Sequence, residues 1–496
     1  MIAISSDPTV HFKSPQYPAR ELQRPAPICW DSLSIRAIGV VVAVVAAVSV
    51  VSVASADDRP NVIVVLTDDQ RADTIHATGN DAIRTPNLDR LVRQGLTFRR
   101  AYAQGSMHGA TCVPSRAMLL AGRQLFGLDE SLQEYSTWPE AFRSAGYETF
   151  MAGKWHNGQP SLCRIFPDTG PIFLGGMVDP LHASLGRVAA GKWLDPRPST
   201  EHTCQVFAQA AVDFLQQPHE RPFFLYVAFN APHDPHIVPA DFPVRVDPES
   251  IPLPANFLPQ HPWNNGEMVV RDERLLSWPR QPADVRRLLA EYYRYVSYVD
   301  TQLGRILDTL ATSPHADRTI VVFTSDSGVA RGSHGLIGKQ NLYEHSVCVP
   351  LIMAGPTIPQ GVSTDALCYL ADVLPSLGRW CGVTGPDTAP TTDLTPVLRD
   401  PGRSARDQVV LGYGQVQRAI ATERWKLIRY PHIDRVQLFD LAADPAERTN
   451  VADRPERHEL VQRLSHQLQA ELTRLGDRAP WSISQPEPAD WTPPAP

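Results

Sequence analysis

Short apolar runs, each ending in a polar segment, dominate the hydrophobic pattern of the chain. They cover residues 61–66, 96–103, 148–152, 222–229, 319–323 and 349–354. Such runs are typical of strands buried on both faces of a parallel sheet. Segments that favour helices lie between them, at residues 86–94, 137–145, 206–216, 284–311 and 364–381. This alternation of strands and helices predicts a doubly wound α/β domain.

The pattern changes after about residue 406. Four short, closely spaced strands are predicted over residues 409–413, 418–422, 426–430 and 436–440, followed by an amphipathic helix over residues 455–475. This arrangement predicts a smaller antiparallel α+β subdomain. We therefore divide the chain into an N-terminal extension (1–56), a large domain (57–400), a C-terminal subdomain (401–476) and a Pro-rich tail (477–496).

Two segments of the large domain lack periodicity. Residues 159–200 are rich in Gly and Pro and are predicted to form an inserted loop region, which could select substrates or be a passive surface excursion. Pro-rich connections continue to about residue 282. Trp263 and Trp278, within these connections, could line a sugar-binding rim or pack as part of the structure.

The N-terminal extension contains the pattern of an export signal. An apolar run over residues 37–53 follows Arg36 and ends in Ala54-Ser55-Ala56. A cationic flank, an apolar core and small residues at the end predict cleavage after Ala56, and the alternative is a retained signal anchor. We therefore expect a periplasmic or secreted protein, attached to a membrane only if this segment is retained.

Export makes disulfides possible. The chain has seven cysteines, of which Cys29 would leave with the signal. The candidate pairs are Cys163 with Cys204 and Cys368 with Cys381, and an odd number leaves at least one cysteine unpaired.

Composition is that of a globular protein and limits the partners. Of 496 residues, 43% are hydrophobic and 20% are charged, and the net charge is −7. No basic run stands out, so nucleic acid is not expected as a partner. An anionic substrate must then be held by a few placed cations or by a metal ion.

Four predicted strands end in groups that can perform chemistry. These groups are Asp68 and Asp69, Lys154 and His156, His233, and Asp326. The ends of parallel strands share one edge of a sheet, which is where open α/β sheets place their ligands. The three aspartates offer oxygen ligands to a hard cation, and the histidines offer proton transfer near neutral pH. Lys154 and the more distant Lys339 would neutralise anionic oxygens of a substrate.

Cys112 begins the stretch Cys-Val-Pro-Ser-Arg at residues 112–116. Pro114 favours the first turn of a helix, and Gly122 is a plausible end. Free N–H groups and a partial positive charge collect at a helix N-terminus, so the position suits an anion and predicts a lowered pKa for the thiol. The whole set suggests metal-assisted hydrolysis of an anionic ester, either a sulfate or a phosphate.

These residues resemble the type I, formylglycine-dependent sulfatases of the alkaline-phosphatase-like superfamily. The resemblance rests on Cys-Val-Pro-Ser-Arg, on Leu-Ala-Gly-Arg at 120–123, and on further motifs in the family order at 61–71, 153–156, 231–235 and 338–344. It covers residues 59–356 and is closest to secreted bacterial carbohydrate sulfatases. The family fold is a mixed, mainly parallel sheet between helices, with a small C-terminal sheet.

The resemblance implies a mechanism. A maturation enzyme oxidises Cys112 to formylglycine, whose hydrate attacks sulfur, and whose second hydroxyl then releases sulfate. Calcium, rather than magnesium, would be bound by Asp68, Asp69, Asp326 and the modified Cys112. The remaining roles follow the family motifs: Arg116, Lys154 and His156 hold and activate the hydrate, Lys339 binds sulfate, and His233 contacts sulfate and protonates the leaving oxygen.

One position departs from the family pattern. Where the family has Asn or His after the third aspartate, as a further metal ligand, this chain has Ser327. Ser327 could ligate the metal, recruit a water, or leave the site one ligand short. Two alternatives to a sulfatase remain at this point: a phosphoester hydrolase of the same superfamily, and a catalytically silent protein that binds sulfated glycans. The substrate would be a sulfated glycan, with choline sulfate or another small sulfate ester as the alternative.

Overall fold

The structure is a computed structural model that describes residues 58–386 and 391–494. The predicted export signal, its cleavage site and Cys29 lie outside the described residues. Within the described ranges, every helix is too short or too polar to cross a membrane.

Sixteen strands form within these ranges. They are β1 (Asn61–Thr67), β2 (Gly95–Tyr102), β3 (Gly105–Ser106), β4 (Glu148–Trp155), β5 (Ile172–Leu174), β6 (Ser184–Ala189), β7 (Lys192–Pro198), β8 (Phe223–Ala228), β9 (Thr319–Ser325), β10 (Cys348–Ala354), β11 (Val362–Thr364), β12 (Cys368–Tyr369), β13 (Gln408–Tyr413), β14 (Gln417–Thr422), β15 (Trp425–Tyr430) and β16 (Arg435–Asp440).

Ten α-helices are found in the same part of the chain. They are α1 (Pro86–Gln94), α2 (Cys112–Ala121), α3 (Trp138–Ser144), α4 (Gln159–Ile165), α5 (Thr203–Leu215), α6 (Pro282–Thr312), α7 (Glu344–Val347), α8 (Val373–Trp380), α9 (Thr395–Arg399) and α10 (His458–Arg474).

The larger sheet contains eleven of the described strands. Their order is β11-β2-β10-β9-β1-β8-β4-β5-β6-β7, with β12 paired to β2. Strands β9, β1, β8, β4 and β5 are parallel, whereas β10 lies antiparallel between β9 and β2. The sheet is therefore mixed and mainly parallel.

Helices cover both faces of this sheet. Side chains alternate between the faces along β1, so Val62 and Val64 pack in one core, with α2, α3 and α8, while Ile63 and Val65 pack in the other, with α1, α5 and α6. Both sets are fully buried, which is why the strand sequence is continuously apolar. This layered arrangement confirms the predicted fold class.

The smaller sheet has the order β16-β15-β14-β13-β3. Its four C-terminal strands are antiparallel, and their apolar face packs on α10 through residues such as Ile420, Leu427 and Leu468. Strand β3 joins it in parallel, with Gly105 opposite Gly412. The smaller sheet therefore extends to the segment that leads into α2.

Two element predictions were wrong. Residues 159–200 are not an inserted loop region, because they form α4 and the strands β5, β6 and β7, which extend the larger sheet to its edge. Strand β7 is mostly exposed, so it lacks the apolar run that identified the inner strands. Residues 364–381 are α-helical only over Val373–Trp380; the earlier part contains the last residue of β11, the strand β12, both paired with β2, and a 3-10 helix (Leu370–Asp372).

The two candidate disulfides are also not formed. All six cysteines in the described residues, Cys163, Cys204, Cys368 and Cys381 among them, are free thiols. The number of cysteines does not fix which of them meet, because pairing depends on the folded positions of the side chains.

Candidate active site

Four strand ends meet at one edge of the larger sheet. Strands β9, β1, β8 and β4 are consecutive neighbours and parallel, so their C-terminal ends lie side by side. The groups predicted from the sequence follow or end these strands: Asp326, Asp68 with Asp69, His233, and Lys154 with His156. All of them are buried except His156, which is partly exposed. The structure thus brings the predicted candidates together.

A sharp bend at the end of β1 lets both aspartates reach this edge. Asp69 has a φ of 64°, in the left-handed region that non-glycine residues seldom occupy. Its N–H donates to Asp326 Oδ1 at 3.2 Å, and the N–H of Asp68 donates to the carbonyl of Ala231 at 3.0 Å. Strained backbone of this kind persists where the surrounding structure fixes it.

Cys112 is the first residue of α2, as predicted, and Gly122 ends that helix at a φ of 65°. Its Sγ lies 3.0 Å from Nδ1 of His156 and 3.8 Å from Nζ of Lys154. The predicted lowering of its pKa is wrong: burial raises the pKa of the Cys112 thiol, and the nearby lysines offset this only in part. The thiol is therefore protonated at neutral pH.

Arg116, one turn further along α2, binds two of the aspartates. Its Nε donates to Asp326 Oδ2 at 2.8 Å, and its Nη2 donates to Asp68 Oδ2 at 3.3 Å. A third bond runs to the carbonyl of Lys154, at 3.2 Å. The ammonium of Lys154 also pairs with Asp68 Oδ2. Two buried cations thus fix Asp68, Asp326 and the end of β4.

Asp69 is the centre of a second group. The Nζ of Lys339 donates to its two oxygens at 2.6 and 2.8 Å, and the Ser327 hydroxyl donates to its Oδ1 at 2.7 Å. Nε2 of His233 lies 3.6 Å from Asp69 Oδ2, and Nδ1 of the same ring lies 2.8 Å from the carbonyl of Asp234. Ser327 therefore faces the candidate metal ligands.

The charges of the site change the pKa values of its members. Burial would raise the pKa of Asp68, but Lys154 and Arg116 hold it below its usual range. Burial and the charge of Asp68 raise the pKa of Asp326 to about 6. Burial and the neighbouring Lys154 lower the pKa of His156 to about 3, so this ring is neutral at neutral pH.

The site fits a divalent cation. Asp68 Oδ1 is buried and has no hydrogen-bond partner within the described residues. Potential ligand atoms lie within 4.8 Å of one another in two overlapping sets: Asp68, Asp69 and His233, and Asp68, Cys112 and Asp326. Crowded carboxylates with an unsatisfied oxygen are the donor set of hard cations such as calcium and magnesium.

One acidic residue of the site was missed from the sequence. Asp272 is buried, and its Oδ2 accepts a hydrogen bond from Gln340 at 2.9 Å. Burial would raise its pKa, but Lys339, the hydrogen bond from Gln340 and the charge of Arg271 together lower it. Asp272 lies in the Pro-rich connection between β8 and α6, where no periodicity or motif could have singled it out.

Comparisons with known proteins match most of the chain. The family model described as Sulfatase matches residues 60–383, and one described as N-sulphoglucosamine sulphohydrolase, C-terminal, matches residues 332–474. Among curated relatives, a choline-sulfatase of Rhizobium meliloti (strain 1021) is 28% identical over 435 residues, covering 80% of this chain and 83% of the relative. An N-acetylglucosamine-6-O-sulfatase of Bacteroides thetaiotaomicron is 27% identical over 478 residues, with the same coverage.

A solved structure shares the fold. The structure of BT4656 in complex with its substrate, D-glucosamine-2-N,6-O-disulfate, superposes with a TM-score of 0.70 at 23% identity. The match covers 85% of this chain and 99% of that one.

Proposed function

Since the chain belongs to the sulfatase family and is a sulfuric ester hydrolase, we propose that it removes sulfate from a sulfated carbohydrate, using a formylglycine derived from Cys112 and a bound calcium ion. One observation carries this proposal. The side chain of Cys112 lies at the start of α2, within 3.0 Å of His156 and 3.8 Å of Lys154. Three buried carboxylates, those of Asp68, Asp69 and Asp326, line the same site.

The metal would be held by Asp68, Asp69 and Asp326, with the modified Cys112 as a further ligand. When bound, it supplies positive charge next to the oxygens of the sulfate. The unpartnered Oδ1 of Asp68 supports this assignment. The hydroxyl of Ser327, which now donates to Asp69, is near enough to these carboxylates to complete the ligand set.

The modified Cys112 would supply the nucleophile: one hydroxyl of the hydrated aldehyde attacks sulfur and the alcohol leaves. The second hydroxyl then loses its proton and forms the aldehyde again, which breaks the bond between carbon and the oxygen that carries sulfate. His156 would orient this group through Nδ1, because its ring is neutral at neutral pH and, in the tautomer with the proton on Nε2, Nδ1 accepts a hydrogen bond from a hydroxyl at the position of Sγ. Lys154 and Arg116 would keep the aspartates of the site in position, because Lys154 pairs with Asp68 and Arg116 pairs with both Asp68 and Asp326.

Lys339 and His233 act on the substrate. Lys339 reaches the site from the loop after β9 and would bind a sulfate oxygen with the ammonium that now pairs with Asp69. His233 keeps a proton on Nδ1, which donates to the carbonyl of Asp234, so that Nε2 faces the site. When Nε2 carries a proton as well, that proton is the one the ring would deliver to the leaving oxygen.

The carbohydrate part of the proposal rests on the relatives. One is named for action on N-acetylglucosamine 6-O-sulfate, and one structural neighbour holds a sulfated glucosamine. A choline-sulfatase is equally similar, so a small sulfate ester is the second candidate. Trp263 and Trp278 do not support a sugar-binding rim, because Trp263 packs near Tyr430 and Trp278 packs on Trp491.

Export and maturation complete the proposal. The signal pattern at residues 37–56 would direct the chain to the periplasm or outside the cell, and a formylglycine-generating or equivalent enzyme would convert Cys112 before or during export. Mass spectrometry of the peptide that contains Cys112, in protein from its native host, should show an aldehyde in place of the thiol. An unmodified thiol there would refute the formylglycine mechanism.

The substrate is tested with a panel of sulfated oligosaccharides, choline sulfate and matched phosphate monoesters, with release of inorganic anion as the readout. We expect sulfate release from at least one sulfated oligosaccharide, and loss of that activity in Cys112→Ala. Release from choline sulfate alone would contradict the carbohydrate assignment, and faster release of phosphate than of sulfate would favour the phosphoester alternative. Chelation followed by addition of calcium or magnesium identifies the metal.

A further inference from the structure

Glu273 is a buried acid that contacts the loop carrying Lys339. It lies in a short 3-10 helix (Arg271–Leu275) of the Pro-rich connection and is 3% exposed. Its carboxylate accepts the N–H of Gly338 at 2.8 Å and the N–H of Ile337 at 3.0 and 3.1 Å. These two amides directly precede Lys339 in the chain.

Arg280 neutralises this carboxylate and binds the same loop. Its Nη2 lies 2.6 Å from Oε2 of Glu273, and its Nε donates to the carbonyl of Gly335 at 3.3 Å. Both side chains of the pair are buried, and the ring of Trp278 covers the guanidinium at 4.3 Å. Arg280 thus binds the first residue of the segment 335–338, and Glu273 binds its last two residues.

The loop that carries Lys339 packs tightly against the turn that contains Asp272 and Glu273. A Cβ at Gly338 would lie 2.4 Å from Oε1 of Gln340, 2.8 Å from Cβ of Asp272 and 3.2 Å from Oε1 of Glu273. The backbone of Gly338 is therefore packed directly on the Asp272–Glu273 turn. From this fixed point Lys339 extends to Asp69, with Nζ 2.6 Å from Oδ1.

We propose that Glu273 is a positioning residue for sulfate binding: paired with Arg280, it fixes the amides of Ile337 and Gly338 and thereby places the ammonium of Lys339. This inference rests on the proposed function, in which Lys339 binds a sulfate oxygen. Within the described part of the chain, the hydrogen bonds of Glu273 go to Ile337, Gly338 and Arg280 and not to the candidate metal ligands, so we expect it to act through Lys339.

The first test is Glu273→Gln, assayed with the substrate identified by the panel and with inorganic sulfate as inhibitor. We expect kcat/KM to fall about 10- to 100-fold, the size expected when a binding group is displaced by about 1 Å. The inhibition constant of sulfate should rise in parallel. Gly338→Ala keeps the charges of Glu273 and Arg280 but moves the loop away from the Asp272–Glu273 turn, so it should lower kcat/KM in the same way. This variant replaces Glu273→Gln if the latter fails to fold.

Asp372→Asn is the matched control. Asp372 is likewise buried, accepts two backbone N–H groups, from Tyr369 and Thr392, and pairs with Arg406 at 2.6 Å. The Asp372→Asn variant therefore weakens interactions of the same kind, but not those of the loop that carries Lys339. We expect its kcat/KM and its sulfate inhibition to match those of the parent, whatever its melting temperature.

A double-mutant cycle with Lys339→Met separates positioning from general structural damage. If Glu273 acts through Lys339, then Glu273→Gln should lower kcat/KM far less when Lys339 is already replaced. Full additivity, or an effect of Glu273→Gln no larger than that of Asp372→Asn, would overturn the inference. Full activity in Lys339→Met alone would instead contradict the proposed function of Lys339 itself, so the two failures are distinguishable.

Discussion

Cys112 lies in a site that favours anions but does not ionise its thiol. Burial raises its pKa, although Lys154 and Lys339 act in the opposite direction. A protonated thiol is a weak nucleophile at neutral pH. An unmodified Cys112 would therefore be a poor nucleophile in this site. This agrees with the proposal that an oxidised, hydrated form of the residue performs the chemistry.

Ser327 donates a hydrogen bond to Asp69, and it yields a prediction about the metal. We expect Ser327→Asn to bind calcium several-fold more tightly than the parent, because an amide oxygen reaches further than a hydroxyl and adds a ligand near Asp69. Isothermal titration calorimetry with the metal-free protein measures the change directly. Ser327→Ala is the control and should bind no more tightly than the parent; unchanged affinity in the Asn variant would place Ser327 outside the ligand set.

At the scale of elements, the end of β4 depends on a glycine. Gly153 has a φ of 124°, and a Cβ there would lie 2.0 Å from the carbonyl oxygen of Ala228 in the neighbouring strand. Strands β4 and β8 can pair this closely only because that side chain is absent. The next residue is Lys154, so the glycine lets the strand deliver a lysine to the site.

Gly153→Ala should therefore destabilise the protein by roughly 2 to 4 kcal/mol, from backbone strain and steric overlap together. Urea unfolding at neutral pH measures this loss. Gly158→Ala is the matched control: its φ of 88° is also left-handed, but its nearest neighbour to a Cβ, an atom of Pro160, is at 3.8 Å. That variant should lose only about 1 kcal/mol; equal losses in the two variants would show that overlap with β8 is unimportant.

The inner strands and the polar residues that follow them were predictable from the sequence, but the buried residues that hold the active-site loop in place were not. Asp68 and His233 were found because each follows an apolar run, which is a local signal. Glu273 and Arg280 gave no such signal, because their function depends on a loop more than fifty residues away in the chain. Helix-end rules alone also gave the wrong pKa direction for Cys112, since burial is a property of the tertiary structure.

At the scale of the whole molecule, a buried charge cluster joins the two sheets. Lys426 of β15 lies 2.8 Å from Glu344 of α7 and 3.0 Å from Glu447, and Glu447 also accepts the N–H of Glu344 at 2.7 Å. Burial, with the charge of Glu344, raises the pKa of Glu447 from 4.5 to about 7 despite the opposing effect of Lys426. This carboxyl therefore titrates in the physiological range.

The cluster predicts a pH dependence of stability. Because folding raises the pKa of Glu447, the folded protein holds this proton more tightly, and the associated stability is present below pH 4.5 and is lost as the pH rises through 7. Relative to Glu447→Gln, the parent should lose on the order of 3 kcal/mol across this window. Urea unfolding of both proteins at several pH values measures the difference, and a difference independent of pH would contradict the raised pKa.

The Pro-rich tail links the smaller sheet to the connection that supports the active site. Trp481 packs against Arg429, whose Nε donates to its carbonyl at 2.9 Å, and the N–H of Glu487 donates to the carbonyl of His432 at 2.8 Å. Further along, Trp491 packs edge-on against Trp278, with ring centroids 5.6 Å apart. Trp278 in turn covers Arg280, so Trp491 lies one side chain away from the ion pair of Arg280 with Glu273.

Removing residues 478–496 should therefore loosen this support while the rest of the fold persists. We expect the free energy of unfolding to fall by about 2 to 4 kcal/mol, since two partly buried tryptophans are lost. Hydrogen exchange should accelerate at residues 260–280 and 335–340 but not in β1 or β9, because the inner strands make their contacts elsewhere. Trp491→Ala should reproduce the faster exchange near Trp278 and leave the smaller sheet unchanged, since Trp481 remains in place. Unchanged exchange at residues 260–280 in both proteins would show that Trp278 and Arg280 hold their positions without the tail.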